Sequence, residues 1–112
     1  MLLDQPKINQ LEGWLMTSYL KEGEMSYIHS REYLKDGNVV SVQCSHQINV
    51  LVMDDNQYSN YRNGRQYRYY GGFYKQFPAN IIPPHSGYWN VVLAMPPGYS
   101  ANIKHTISVL NA

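Results

Sequence analysis

The chain of 112 residues holds a single cysteine, Cys44, so no disulfide can close within it. That usage fits a reducing compartment. No apolar run approaches the ~18 residues that a membrane span needs. The N-terminus lacks the basic start and apolar stretch of a secretory signal, so a cytoplasmic location and no membrane partner are the expectation. There is no Cys-x-x-Cys or His-x-x-x-His spacing for zinc. Gly71-Gly72 lacks the spaced glycines and the Gly-Lys-Ser/Thr ending of a phosphate loop. Neither a metal nor a cofactor is therefore expected. Phenylalanine is scarce, at two residues against eleven tyrosines. A tyrosine-dominated aromatic set suits half-buried positions and contact surfaces, because each ring carries a polar tip. Acidic residues are missing after Asp55. All eight acids and four of the nine basic residues precede Asn56, which leaves −4 in that part and +5 in the rest. Such asymmetry suits an anionic partner, although two halves that interleave in space would simply neutralise each other.

What remains is the patterning of a small β domain. Val40, Val42 and Cys44 alternate on one face of a strand. Ile48–Met53 is apolar on both faces and reads as a central strand. Trp89, Val91 and Leu93 share one face of a third strand, and Ile103, His105, Ile107 and Val109 share one face of the last. Turn signals fall at Asp54-Asp55-Asn56, at Asn63-Gly64, which reads as a tight hairpin turn within Tyr61–Tyr70, at Pro83-Pro84 and at Pro96-Pro97-Gly98. Gly71-Gly72 marks a bend, a bulge or a close backbone approach. The spacing predicts an all-β, antiparallel β-sandwich, jelly-roll-like, of six to eight strands over residues 25–112. Its predicted core is Val40, Val42, Val50, Val52, Trp89, Val91, Leu93, Ile103, Ile107 and Val109. Residues 1–24 read as an extension, either a non-native tag or a short helix with Ile8, Leu11, Leu15 and Tyr19 at helical spacing, Asn9 as cap and Gly23 as terminator. It is expected to be dispensable for folding.

Three clusters could carry chemistry. Cys44 and His46 lie two apart on a strand, roughly 6.5–7 Å between Cα atoms, and nothing in the sequence orients the histidine. A free cysteine is more often a small buried hydrophobe than a nucleophile, so no catalytic residue is assigned and no enzymatic activity is expected. His105 reads as a neutral core or edge histidine. Asp54-Asp55-Asn56 reads as a turn rather than a calcium ligand set. The stretch from Tyr61 to Phe77 interleaves four cations with seven aromatics, the chemistry that holds anionic or stacking ligands. It yields the candidate ligand-binding residues Arg62, Arg65, Tyr67, Arg68, Tyr69 and Lys75. Arg62, Arg65, Tyr67 and Lys75 are expected to be exposed, and Tyr70 to pack beside Gly71-Gly72. The competing reading is that the rings pack across the sheet and the arginines stack on them. The expected function is a binding or sensing module for an unidentified ligand or protein, with carbohydrate and nucleic acid as alternatives, nucleic acid the less favoured. A cysteine-dependent enzyme is the distant rival, and homo-oligomerisation stays open.

From Ser26 to Leu110 the chain resembles a small bacterial family known as domain of unknown function 1883. The matching runs are His29-Ser30-Arg31-Glu32-Tyr33-Leu34, Cys44-Ser45-His46-Gln47 with Asn49-Val50, Asp54-Asp55, Tyr61 with Gly64, Tyr69-Tyr70-Gly71-Gly72, Phe77-Pro78, and Pro84-His85 through Gly87, Trp89, Asn90 and Val91. Where the family's pattern continues from the tryptophan strand into an Asp and a Gly-Gly turn, this chain has Ala94, Met95 and Pro96-Pro97-Gly98. The resemblance implies a domain found alone or joined to Toll/interleukin-receptor-like domains, hence an adaptor or sensor in bacterial signalling or defence, with no enzymatic activity attached. The strand around Trp89 is also similar in architecture to the late strand of jelly-roll carbohydrate-binding modules.

Overall fold

Period-two alternation turns Val40 and Val42, Ile48, Val50 and Val52, and Trp89, Val91 and Leu93 inward, and these side chains meet in one core. The computed structural model of the chain describes residues 16–21 and 27–111. The strands are β1 (Met16–Lys21), β2 (Ile28–Leu34), β3 (Val39–Cys44), β4 (Ile48–Asp54), β5 (Tyr70–Tyr74), β6 (Ala79–Ile81), β7 (Gly87–Ala94) and β8 (Ser100–Leu110), with one helix, α1 (Asp55–Arg62), between β4 and β5. They form two four-stranded antiparallel sheets, ordered β1-β8-β3-β6 and β2-β7-β4-β5. Both sheets feed the same core: Val40, Val42, Ala79, Ile81 and Ile103 from one, Ile48, Val50, Val52, Trp89, Val91 and Leu93 from the other.

β4 is an interior strand, flanked by β7 and β5, as its two apolar faces require. Leu51, Met53 and Val92 point away from the main core and make a second buried cluster on the outer face of that sheet. Nine of the ten predicted core residues belong to the core or pack against it; Val109, near the end of β8, is 38% exposed and is the exception.

Two expectations need correction. Residues 16–21 are not helical but an edge strand, paired with β8 from Met16↔His105 to Lys21↔Ser100. The misreading is physical: Leu11, Leu15 and Tyr19 are spaced by four, a multiple of two as well as close to one helical turn. The remainder of the expected helix lies outside the described residues. The second correction concerns Asn63-Gly64. It makes no hairpin but terminates α1, and β4 reaches its neighbour β5 through that helix.

Candidate functional site

The β4–β5 connection is built by local hydrogen bonding. Asp54 is the N-cap of α1, its Oδ1 accepting from the Gln57 backbone N–H at 2.9 Å. Asp55 in the first turn and Arg62 in the last complement the helix dipole. At the other end Gly64, at φ +71°, donates to Tyr61 O (3.3 Å), and Arg65 N–H donates to Asn60 O (2.9 Å). That pair of bonds is a Schellman motif. It explains why Asn-Gly ends a helix here: the left-handed residue it supplies serves a C-cap as well as a hairpin. The sequence carried a signal for this helix, Asp54 followed by Gln57 three positions on, which is the spacing of a capping box.

α1 buries no residue fully. It lays Tyr58 and Tyr61 over Leu51, Met53 and Val92, and Tyr27 and Tyr67 complete the cover. The rings meet mostly edge to face: Tyr27–Tyr61 at 5.2 Å and Tyr61–Tyr67 at 5.0 Å, with Tyr67–Tyr69 tilted at 5.7 Å. The Tyr27 and Tyr58 hydroxyls are 3.1 Å apart. A polar latch fastens the start of the helix. Arg31 grips Asp55 with two bonds, Nε to Oδ1 (3.1 Å) and NH2 to Oδ2 (2.8 Å), while lying 3.9 Å from the Tyr88 ring centroid. Asn90, fully buried, donates to Asp55 Oδ1 (2.8 Å) and Met53 O (3.3 Å). Its Oδ1 accepts from His29 Nε2 (2.8 Å), and the His29 ring stacks on Tyr58 at 4.1 Å. The bonds from Arg31 and then Asn90 hold the Asp55 carboxyl down at about 2. These residues sit in three of the runs that carry the family resemblance, and their bonding gives them a structural duty.

Burial, followed for Tyr58 by the hydroxyl bond to Tyr27, raises the Tyr58 and Tyr61 phenols to about 12 from an ordinary 10.0. A group whose folded pKa exceeds its unfolded one contributes stability below the unfolded value and loses it as pH rises through the folded value. The α1 cover is therefore expected to weaken between about pH 10 and 12. Denaturant unfolding across that range, with tyrosine ionisation followed by ultraviolet absorbance, checks this. Tyr58 and Tyr61 should ionise late, with Tyr67 raised in the same direction by its burial, and Tyr58→Phe should flatten the alkaline loss. Ionisation of every tyrosine near pH 10 with the fold intact would contradict the packing.

Beside α1, at the end of the sheet where β4 stops and β5 and β7 begin, lies a cleft of about 550 Å³. This is within the usual range for small-molecule sites. Its lining includes Met53, Trp89, Tyr69 and Tyr70, with polar groups from Asp54, Gln57, Arg68 and His85. Trp89 is 2% exposed and its Nε1 donates to His85 O at 3.1 Å. Tyr70 stands edge-on to Trp89 at 5.9 Å and His85 lies 5.1 Å from it. His85 Nδ1 donates to Ser86 O (2.9 Å), which leaves Nε2 as an acceptor in the neutral ring. Gln57 Oε1 accepts from Arg68 N–H (2.8 Å), tying one wall to the helix.

The candidate residues thus divide. Arg68 and Tyr69 line the cleft. Tyr67 is half-buried in the outer cluster rather than free. Arg62 lies over the Tyr58 ring at 5.7 Å and Arg65 Nε donates to Asn60 Oδ1 (3.2 Å). Lys75 follows Tyr74, at the opposite end of β5 from Tyr70, in a separate hollow formed by residues 73–78 alone. Tyr70, expected to be packed away, is 48% exposed because its ring sits at the rim over Trp89. Sequence reading missed His85, Gln57 and Asp54 as lining of this cleft, which forms because β4–β7 pairing sets Asp54 opposite Trp89 and α1 carries Gln57 to the same place.

Elsewhere, Cys44 is buried and its thiol is pushed up by desolvation. His46 Nδ1 engages the Ser45 hydroxyl at 2.7 Å. His105 is buried opposite Cys44, and desolvation lowers its pKa, favouring the neutral ring. Among the described residues no group of three His, Cys, Asp or Glu is placed to hold a metal, and no helix is long and apolar enough to cross a membrane. The family described as "Domain of unknown function (DUF1883)" matches residues 25–112. No curated protein matches the chain.

Proposed function

Taking as its premise that the chain belongs to the DUF1883 family, whose description assigns no activity, we propose that it is a non-catalytic binding module, a jelly-roll sandwich that takes a small ligand in the Tyr70–Trp89 cleft. The strand orders β1-β8-β3-β6 and β2-β7-β4-β5 support the jelly-roll reading. The observation that carries the function is the cleft itself: an aromatic floor and rim joined to a guanidinium, an imidazole, an amide and a carboxylate. Such a site favours a ligand with one apolar face and a polar edge. Single-stranded nucleic acid is less favoured, because Arg62, Arg65 and Lys75 do not line the cleft, and Asp54 would repel a phosphate. The raised thiol pKa of Cys44 argues for a structural cysteine. A sensing or adaptor role belongs to the same proposal.

The test is an array of nucleotides, oligonucleotides and glycans, read with wild type, Tyr70→Ala and Arg68→Ala. Wild type should retain a ligand that Arg68→Ala binds about 10- to 100-fold more weakly, the usual effect of losing a charged hydrogen bond. A ligand held equally by both variants would place the site elsewhere.

A further inference from the structure

Resting on that reading of the cleft, we infer that the ligand is a neutral saccharide chain, with one ring in the cleft and the next in a groove beside it. The groove measures about 580 Å³ and is lined by Gln57, Asn60, Gln66, Tyr67 and Arg68. It shares Gln57 and Arg68 with the cleft, so the two hollows adjoin across that pair beside α1. Two adjoining hollows of similar size fit a ligand of repeated units better than a single compact molecule.

The chemistry of the walls selects the unit. Three of the five groove residues carry side-chain amides, which donate and accept. The cleft adds a carboxylate, Asp54, an imidazole acceptor, His85, and one guanidinium, Arg68. A hydroxyl both donates and accepts, so a polyol can satisfy all of these at once, whereas a phosphate chain satisfies only donors and meets Asp54 as a like charge. The exposed faces of Tyr69 and Tyr70, 46% and 48% accessible, offer the flat apolar surface against which the C–H face of a pyranose packs. The bond from Arg68 N–H to Gln57 and the bond from Arg65 Nε to Asn60 fix the walls before any ligand arrives, which lowers the entropic cost of binding.

The experiment takes the full chain and an array of defined neutral mono-, di- and trisaccharides, followed by calorimetric titration of the best series and of an oligothymidylate. Disaccharide should bind at least about tenfold more tightly than its monosaccharide, as a tethered second contact provides, with little change on added salt. Gln66→Ala, at an exposed groove position, should remove that gain while leaving the monosaccharide affinity unchanged. Tyr70→Ala should remove both. Equal affinity for mono- and trisaccharide, lost in Tyr70→Ala, would overturn the two-ring site and leave the cleft as a ligand site. Binding of the oligothymidylate alone, falling steeply with salt and lost in Tyr70→Ala, would overturn the sugar and keep the cleft. Binding of none of these overturns both.

Discussion

Trp89→Ala is expected to lower the stability of the fold by about 3–5 kcal/mol, the range for deleting a large aromatic from a packed core. The ring is 2% exposed, lies in the core shared by both sheets, and carries Tyr70 and His85 against it. The substitution also leaves the His85 carbonyl without the indole N–H. Urea unfolding checks this: the midpoint should fall sharply, and any folded remainder should have lost the floor of the cleft. Trp89→Phe should cost less, since most of the apolar area stays and one hydrogen bond goes. A midpoint shift in Trp89→Ala equivalent to less than about 1 kcal/mol would mean that the ring is not part of the core.

Gly71→Ala should cost on the order of 3 kcal/mol, combining a strained backbone with an overpacked site. Gly71 has φ +118°, and a Cβ added there would lie 2.1 Å from the Val50 carbonyl oxygen and 3.1 Å from Ile81 Cδ1. Neither neighbour can give way cheaply: Val50 O belongs to the backbone of β4 opposite β5, and Ile81 is buried in the core. Gly64→Ala is the control. Its φ of +71° disfavours alanine, but nothing lies within 4 Å, so about 1–2 kcal/mol is expected. Thermal melts of the two variants side by side should separate them clearly. Equal shifts would show that β5 does not approach β4 as closely as the pairing requires.

The fold was legible where side chains alternate strictly. Val40, Val42 and Cys44, and likewise Trp89, Val91 and Leu93, announce strands whose inward residues are indeed buried, because a sheet imposes a period of two whatever it packs against. α1 was not legible by periodicity. It buries nothing fully, is only eight residues long, and covers the sheet with tyrosines, which favour strands as isolated residues. Only its cap, Asp54 with Gln57, marks it. The candidate site was half legible. Density of arginine and tyrosine drew attention to Arg68 and Tyr69, which line the cleft, and equally to Arg62, Arg65 and Lys75, which do not. Composition ranks a segment, but only long-range pairing decides which of its residues meet. His85 and Tyr70 are brought together by a tryptophan on β7, and no local pattern encodes that.

The strand order has a kinetic side. Among the described strands, β4 and β5 alone are both neighbours in a sheet and consecutive in the chain, and even they are joined through a helix. Every other ladder, from β3–β6 to β1–β8, joins segments separated by at least one intervening strand. None of the described strands can zip with its neighbour from a tight turn, so the chain must close large loops before the contacts that reward closure exist. Refolding from urea is accordingly expected on the millisecond-to-second scale of topologies dominated by distant pairings. During that interval the apolar strands β4 and β7 are without their partners, so the fraction of protein that returns should fall as its concentration rises.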